Sequence, residues 1–210
     1  MSRMHKTLFG AFAVIALIAA IVLPRVLEQR SLEQDPALLA AGIILLQQGR
    51  PMPALRMTDE QGQPVQLDQL KGKWSVLFFG YTFCPDICPT TLAQLRNIRG
   101  KLPGDTAQRL QVYLVSVDPA RDTPGQLKQY LGYFDKTFKG LTGPVEVLER
   151  FSEAVSIPYV PADTSKPNYT VQHSGNLAVV APDGRLRGFI RAPFDSAKLQ
   201  DALPALLRRG

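Results

Sequence analysis

The chain has 210 residues, 45% of them apolar and 20% charged, which suits one folded domain of about 100–200 residues and excludes a disordered or low-complexity protein. The net formal charge of +6 is spread over residues such as Arg50, Lys71, Lys73, Arg96, Arg99, Lys101 and Arg109. With no basic stripe interleaved with aromatics, nucleic-acid binding is not expected. There are two cysteines, Cys84 and Cys88, and two histidines, His5 and His173, so a disulfide-dense secreted scaffold is excluded as well.

Residues 1–6 form a short basic tail, expected to be cytoplasmic. From Thr7 to Pro24 no side chain is charged, close to the ~20 apolar residues of a spanning helix. The run is longer than the ~7–15-residue core of a cleaved signal peptide, and Ile21-Val22-Leu23-Pro24-Arg25 follows where a small-x-small cleavage site would stand. Residues 7–24 therefore read as an uncleaved membrane anchor. Arg3 and Lys6 on one side balance Arg25 and Arg30 on the other, so the positive-inside rule says little. A short tail usually stays inside, which puts the domain outside. No Arg- and Ser-rich transit peptide is present, so the expected setting is a bacterial inner membrane with the domain facing the periplasm.

Residues 25–50 read as a connector and 51–210 as the domain. Leu55 to Leu67 is a hairpin turning at Glu60 to Gly62. Trp74 to Gly80 is a short apolar run typical of a buried central strand. A helix is expected over Thr90 to Lys101, with Leu92, Leu95 and Ile98 on one face, and a second buried strand over Leu110 to Val117. Thr123 and Pro124 are an N-cap and a first helical residue, and Val145 to Val155 is a further helix. Asn176 to Val180 and Leu186 to Ile190 flank the turn Pro182-Asp183-Gly184-Arg185, a hairpin signal. A last amphipathic helix covers Ser196 to Leu207. Two parallel strands, a hairpin and a closing helix make a thioredoxin-like α/β domain with an N-terminal hairpin extension. Sites in such sheets lie beyond the carboxyl ends of the strands, where Cys84 and Asp118 fall.

The segment Cys84-Pro85-Asp86-Ile87-Cys88-Pro89 carries the chemistry. On a regular helical turn, residues i and i+4 have Cβ atoms about 5–6 Å apart, wider than the ~3.5–4.5 Å of a disulfide and suited to gripping one ion. The two prolines make the turn irregular, so the pair is also able to bridge after a local shift. A helix N-terminus favours the thiolate, while Asp86 opposes it. A purely structural bridge would close too small a loop to remove much chain entropy. Thioredoxin-type enzymes use Cys-x-x-Cys, one residue shorter. The peroxiredoxin pattern Pro-x-x-x-Thr/Ser-x-x-Cys fits neither cysteine: Pro85 and Tyr81 stand where its Thr and Pro would precede Cys88, and Tyr81 and Leu77 where they would precede Cys84.

His5 lies before the anchor, leaving His173 as the imidazole of the domain. A lone histidine is more often structural than a ligand. In a thioredoxin-like domain, however, the loop before the hairpin packs beside the cysteine turn. Two thiolates select a soft or borderline ion, copper(I) or zinc. Two cysteines and a histidine with an open position also describe a zinc site, while the imidazole makes copper(II) acceptable.

Three segments carry a resemblance: Gly80-Tyr81-Thr82-Phe83-Cys84-Pro85-Asp86-Ile87-Cys88-Pro89; Ser116-Val117-Asp118-Pro119-Ala120-Arg121-Asp122-Thr123-Pro124; and Val171-Gln172-His173-Ser174 followed by Pro182-Asp183-Gly184. In this order they resemble the Sco/SenC family of copper proteins from about Pro51 to the C-terminus. The resemblance implies a thioredoxin fold, a membrane anchor, and copper held by Cys84, Cys88 and His173. It also implies a role in cytochrome c oxidase assembly, either delivering copper to the binuclear centre of the copper-bearing subunit or reducing that centre's cysteines. Another copper chaperone is an alternative partner. The chain departs from the family at Gln172, where members commonly carry Asp before the histidine, a carboxylate able to orient the imidazole. Capping accounts for Asp122, Thr123 and Pro124; Asp118 and Arg121 are candidates for partner docking.

Overall fold

The computed structural model describes residues 13, 15–24 and 35–208. The chain divides into two units, Met1–Asp35 and Pro36–Gly210. In the first, residues 15–24 are helical, and Ile15, Leu17, Ile18, Ile21, Val22 and Leu23 are exposed. Among the described residues, no helix is long and apolar enough to cross a membrane. The tail 1–6 and much of the anchor 7–24 lie outside the described residues.

The second unit begins earlier than the sequence suggested. Residues 36–50, read as part of a connector, supply helix α1 (Pro36–Ala40) and most of strand β1 (Ile43–Pro51). Gly42, at φ +78, ends the helix in the left-handed conformation that glycine adopts without Cβ strain. Its N–H donates to the Leu39 carbonyl at 3.0 Å. β1 then pairs antiparallel with β10 (Arg185–Ile190), Ile43 opposite Ile190. The apolar run Ala37 to Leu46 therefore spans a helix, a turn and a strand.

Strands β2 (Arg56–Asp59) and β3 (Pro64–Gln66) form the expected hairpin, with Gly62 at φ +81 in its turn. β4 (Trp74–Gly80) is buried along its whole length. After it come α2 (Ile87–Lys101), α3 (Gly104–Gln108), β5 (Leu110–Ser116) and α4 (Pro124–Gly132). Thr123 caps α4, its hydroxyl accepting from the Gln126 N–H at 3.2 Å.

The chain continues through β6 (Lys139–Thr142), α5 (Val145–Ala154), β7 (Tyr159–Val160), β8 (Gln172–His173), β9 (Leu177–Val180), β10 and α6 (Ser196–Leu207). The large sheet runs β1-β10-β9-β4-β5-β6-β2-β3, while β7 and β8 make a separate ladder.

β6 makes a third parallel strand where two were expected. It is only four residues long and contains Gly140, so it carries little strand pattern of its own. It is held from outside: the buried carboxylate of Glu60 accepts from the Gly140 N–H at 2.9 Å and from Lys139 Nζ at 3.1 Å, fastening the β2–β3 turn to it.

Register fixes the functional edge. β4 and β5 are parallel and end together, Gly80 opposite Ser116, and the Val117 N–H continues the ladder to the Gly80 carbonyl at 2.9 Å. β9 runs antiparallel to β4 with Leu177 opposite Phe78. The segments leaving β4 and β5 and the one entering β9 therefore meet at one end of the sheet. These are residues 81–86, 117–123 and 172–176.

Candidate metal centre

Helix α2 starts at Ile87, with Asp86 at its N-cap making no side-chain cap bond, so Cys88 lies in the first helical turn. Cys84 lies before the helix, in a turn closed by its own N–H on the Tyr81 carbonyl at 3.3 Å. The pair is thus not an i,i+4 pair on a regular helix; a loop folding back over the helix start brings the thiols together. Both cysteines are free; Cys84 is part-buried and Cys88 is buried.

His173 comes from β8, where it lies opposite Tyr159 of β7. One ligand atom from each of Cys84, Cys88 and His173 lies within 4.8 Å of the others, and Cys88 Sγ is 3.4 Å from His173 Nε2. This separation suits atoms about 2.0–2.3 Å from a common ion. The donor set fits a soft or borderline metal.

The tautomer follows from one contact. His173 Nδ1 is 3.2 Å from the Ser174 carbonyl oxygen, which only accepts, so Nδ1 carries the proton. In the neutral ring this leaves the Nε2 lone pair turned toward the thiols. Phe78 and Tyr81 meet the ring edge-to-face at centroid distances of 5.8 and 5.7 Å. Gln172 is exposed, and neighbouring residues on a strand point to opposite faces. The imidazole is therefore oriented by Ser174 and the two aromatic rings, and the residue before the histidine takes no part.

The two thiols are electrostatically unequal. Cys84 is held well below the usual thiol range, first by the Cys88 thiol donating to it, then by the N–H groups of Asp86 and Cys88. Cys88 is pushed up, because it supplies that shared proton and is desolvated; its Sγ accepts from the Tyr81 N–H at 3.4 Å. The pair holds one proton between them and titrates as a unit. The lowered pKa and partial exposure favour Cys84 over Cys88 as the attacking thiol. Limited iodoacetamide treatment followed by peptide mass spectrometry is expected to label Cys84 and spare Cys88, at a rate that stays flat through neutral pH and falls only in acid. Equal labelling, or a rate that climbs through the ordinary thiol range near ~8.5, would contradict this asymmetry.

Asp122 belongs to the site's frame, a role its capping position did not suggest. It is 1% exposed. Its carboxylate accepts from the Thr82 N–H at 3.0 Å, the Thr82 hydroxyl at 2.6 Å and the Ser116 hydroxyl at 2.7 Å, tying the turn that carries Cys84 to the end of β5. Burial pushes its pKa up, and the Ser116 and Thr82 hydrogen bonds hold it down in part. Tyr81 is another such residue, its hydroxyl accepting from the Val171 N–H at 3.2 Å.

A thioredoxin-like α/β domain with a free Cys-x-x-x-Cys turn facing a histidine is the class of protein that this fold and site define. The chain belongs to the SCO1/SenC family, whose sequence model matches residues 47–208. A Stutzerimonas stutzeri protein named for copper binding is 47% identical over 202 residues, 96% of each chain. Among solved structures, yeast Sco1 with copper bound is 27% identical with a TM-score of 0.70, covering 77% of this chain and 90% of that one. Bradyrhizobium japonicum ScoI with copper bound is 32% identical with a TM-score of 0.61, covering 77% and 98%.

Proposed function

We propose that this protein is a copper metallochaperone for cytochrome c oxidase assembly, anchored in a bacterial inner membrane by residues 7–24 with its domain in the periplasm. The observation that carries the reading is the convergence of Cys84 Sγ, Cys88 Sγ and a His173 Nε2 whose proton is fixed on the opposite nitrogen. Relatives of the same fold hold copper, which favours copper over zinc for this donor set. Two thiolates suffice for Cu(I), and the added imidazole accommodates Cu(II). Delivery to the oxidase's binuclear centre then proceeds by ligand exchange. An incoming partner thiol passes its proton to the one of the three donors that leaves and takes its place on the ion; copper changes hands without changing oxidation state. The partner is the copper-bearing oxidase subunit or another copper chaperone.

The free, unequal thiol pair also favours a second reading: a thiol–disulfide oxidoreductase that reduces the partner's copper-ligand cysteines. Cys84 would attack the partner's disulfide and release one of its thiols; Cys88 would then resolve the mixed disulfide, leaving a Cys84–Cys88 bridge.

The metal is tested by offering copper and zinc together, under reducing conditions, to the purified protein and measuring what it retains. One copper per chain is expected. A zinc-only product would overturn the copper reading.

A further inference from the structure

Arg121 carries no ligand and lies on neither ligand-bearing segment, yet it touches both. Its guanidinium carbon stands 3.7 Å from the Tyr169 ring centroid and 4.9 Å from that of Phe83, with Tyr81 at 5.6 Å. Phe83 immediately precedes Cys84. Tyr169 lies in the strap 161–171, which leaves β7 and returns as β8 with His173. The geometry is fixed by Asp118 at the end of β5, which is 2% exposed. One of its oxygens accepts from Arg121 Nε at 2.5 Å and the other from the Tyr169 hydroxyl at 2.8 Å. Arg121 Nη2 is buried without a hydrogen bond. That end of the guanidinium is therefore held by ring faces, the cation–π arrangement that aromatic quadrupoles favour.

The strap has few other ties to the domain. Asp163 bonds to Ser165 and pairs with Lys166, both within the strap. Among the hydrogen bonds and ring contacts of the described residues, the strap reaches the body through Tyr169 and, at its end, through Val171, whose N–H donates to Tyr81 and whose side chain is buried. Residues 163–168 are exposed. Without the Asp118–Arg121–Tyr169 contacts, a long exposed excursion would be pinned only at its end, two residues from His173.

We infer that Arg121 is a positioning residue that clamps the Cys84 turn and the His173 strap to each other, so that thiols and imidazole are presented as one site. Its consequence for copper rests on the copper reading above; the clamp itself does not. A role confined to stabilising the turn 117–123 would move the melting temperature and leave the two distant segments alike in wild type and variant.

The test uses the full chain and two measurements. In the metal-free protein, amide hydrogen exchange reads local opening. Arg121→Ala is expected to speed exchange at 82–85 and at 166–171 together, by about tenfold. Phe83→Ala, at a side chain that is 52% exposed, is expected to speed exchange at 82–85 alone. Tyr169→Phe keeps the ring under the guanidinium and is expected to loosen 166–171 alone, by less than Arg121→Ala. In the copper arm, Arg121→Ala is expected to weaken Cu(II) by about tenfold, the scale for loss of a partner that orients a ligand. The nitrogen hyperfine structure in its electron paramagnetic resonance spectrum should also fall. Cu(I), satisfied by two thiolates, should change by less than about threefold.

Exchange that rises in only one segment, or in neither, overturns the clamp, as does Cu(II) binding with wild-type affinity and spectrum. Should Arg121→Ala not fold, Phe83→Ala decides: an unchanged Cys84 turn means that the clamp has no second jaw. A wild-type protein that takes no copper overturns the function proposed above, while the exchange arm still decides the clamp.

Discussion

His173→Ala is expected to abolish copper(II) binding and maturation of the oxidase copper centre while leaving the fold and the thiol pair intact. The imidazole is part-buried and meets Phe78 and Tyr81 only edge-on, so its removal should cost about 1 kcal/mol of stability. Its chemical loss is larger. His173 Nε2 supplies the donor that two thiolates lack for Cu(II), and losing an actual ligand must exceed the about 10–100-fold cost of losing a group that merely orients one. Cu(I) should remain on Cys84 and Cys88 with a smaller penalty. Cu(II) and Cu(I) titrations of the purified variant measure the two affinities, and oxidase activity in cells carrying it measures assembly.

The substitution also separates the two readings. Thiol–disulfide exchange needs Cys84 as attacking thiolate and Cys88 as resolving thiol. The Cys84 pKa is lowered first by the Cys88 thiol and then by backbone N–H groups, none of which the substitution removes. A reductase should therefore survive the change. If oxidase still assembles in His173→Ala cells and the partner's cysteines are still reduced, the chaperone reading fails and the oxidoreductase reading replaces it.

The trio that the fold brings together, Cys84, Cys88 and His173, was legible in the sequence because rarity did the work: two cysteines four residues apart and one imidazole in the domain leave few ways to build such a site. The strands 74–80 and 110–116 were legible because a strand buried on both faces must be continuously apolar, and the last helix because its apolar residues recur at helical spacing. The thiol geometry was not. Spacing alone suggested a regular helical turn, whereas two prolines and a helix start at Ile87 place Cys84 in a loop. β1 was hidden in an apolar stretch whose internal boundary is one backbone dihedral, that of Gly42. β6 was hidden because it is four residues long and its partners are distant in sequence: β5, β2 and the Glu60 carboxylate, 80 residues away from Gly140. The supports of the site, Asp122 under Thr82 and Ser174 behind His173, are long-range or backbone contacts. Local pattern has no means of signalling them.

Gly80→Ala is expected to damage both stability and metal binding, although by local propensity it should help. Alanine is favoured over glycine in an extended segment, and reducing the freedom of the unfolded chain is worth about 0.4–1 kcal/mol where the native backbone permits it. Here the obstacle is space. A Cβ at residue 80 would stand 2.7 Å from Cys88 Sγ and 3.2 Å from both Leu114 Cδ1 and Phe78 Cε1. Leu114 and Phe78 are completely buried and have little room to yield, so the strain falls on the thiol. Cys88 is 0% exposed and fixed in the first turn of α2, so turning Sγ away breaks its 3.4 Å contacts with His173 Nε2 and the Tyr81 N–H.

Overpacking of this kind costs about 1–3 kcal/mol, which in a domain of this size lowers the melting temperature by about 3–10 °C. Copper affinity should fall by tenfold or more, since the buried one of the two thiols no longer points at the ion. A double-mutant cycle identifies the cause. Adding Cys88→Ala removes the sulfur that the new methyl strikes, so the double variant should regain stability relative to Gly80→Ala alone, with a coupling of at least about 1 kcal/mol, while remaining unable to hold copper. If Gly80→Ala melts at the wild-type temperature and keeps wild-type copper affinity, the close approach of Gly80 to the Cys88 thiol is not what shapes the site. If instead the double variant is no more stable than the single one, the clash lies with Leu114 and Phe78, and the thiol is a bystander.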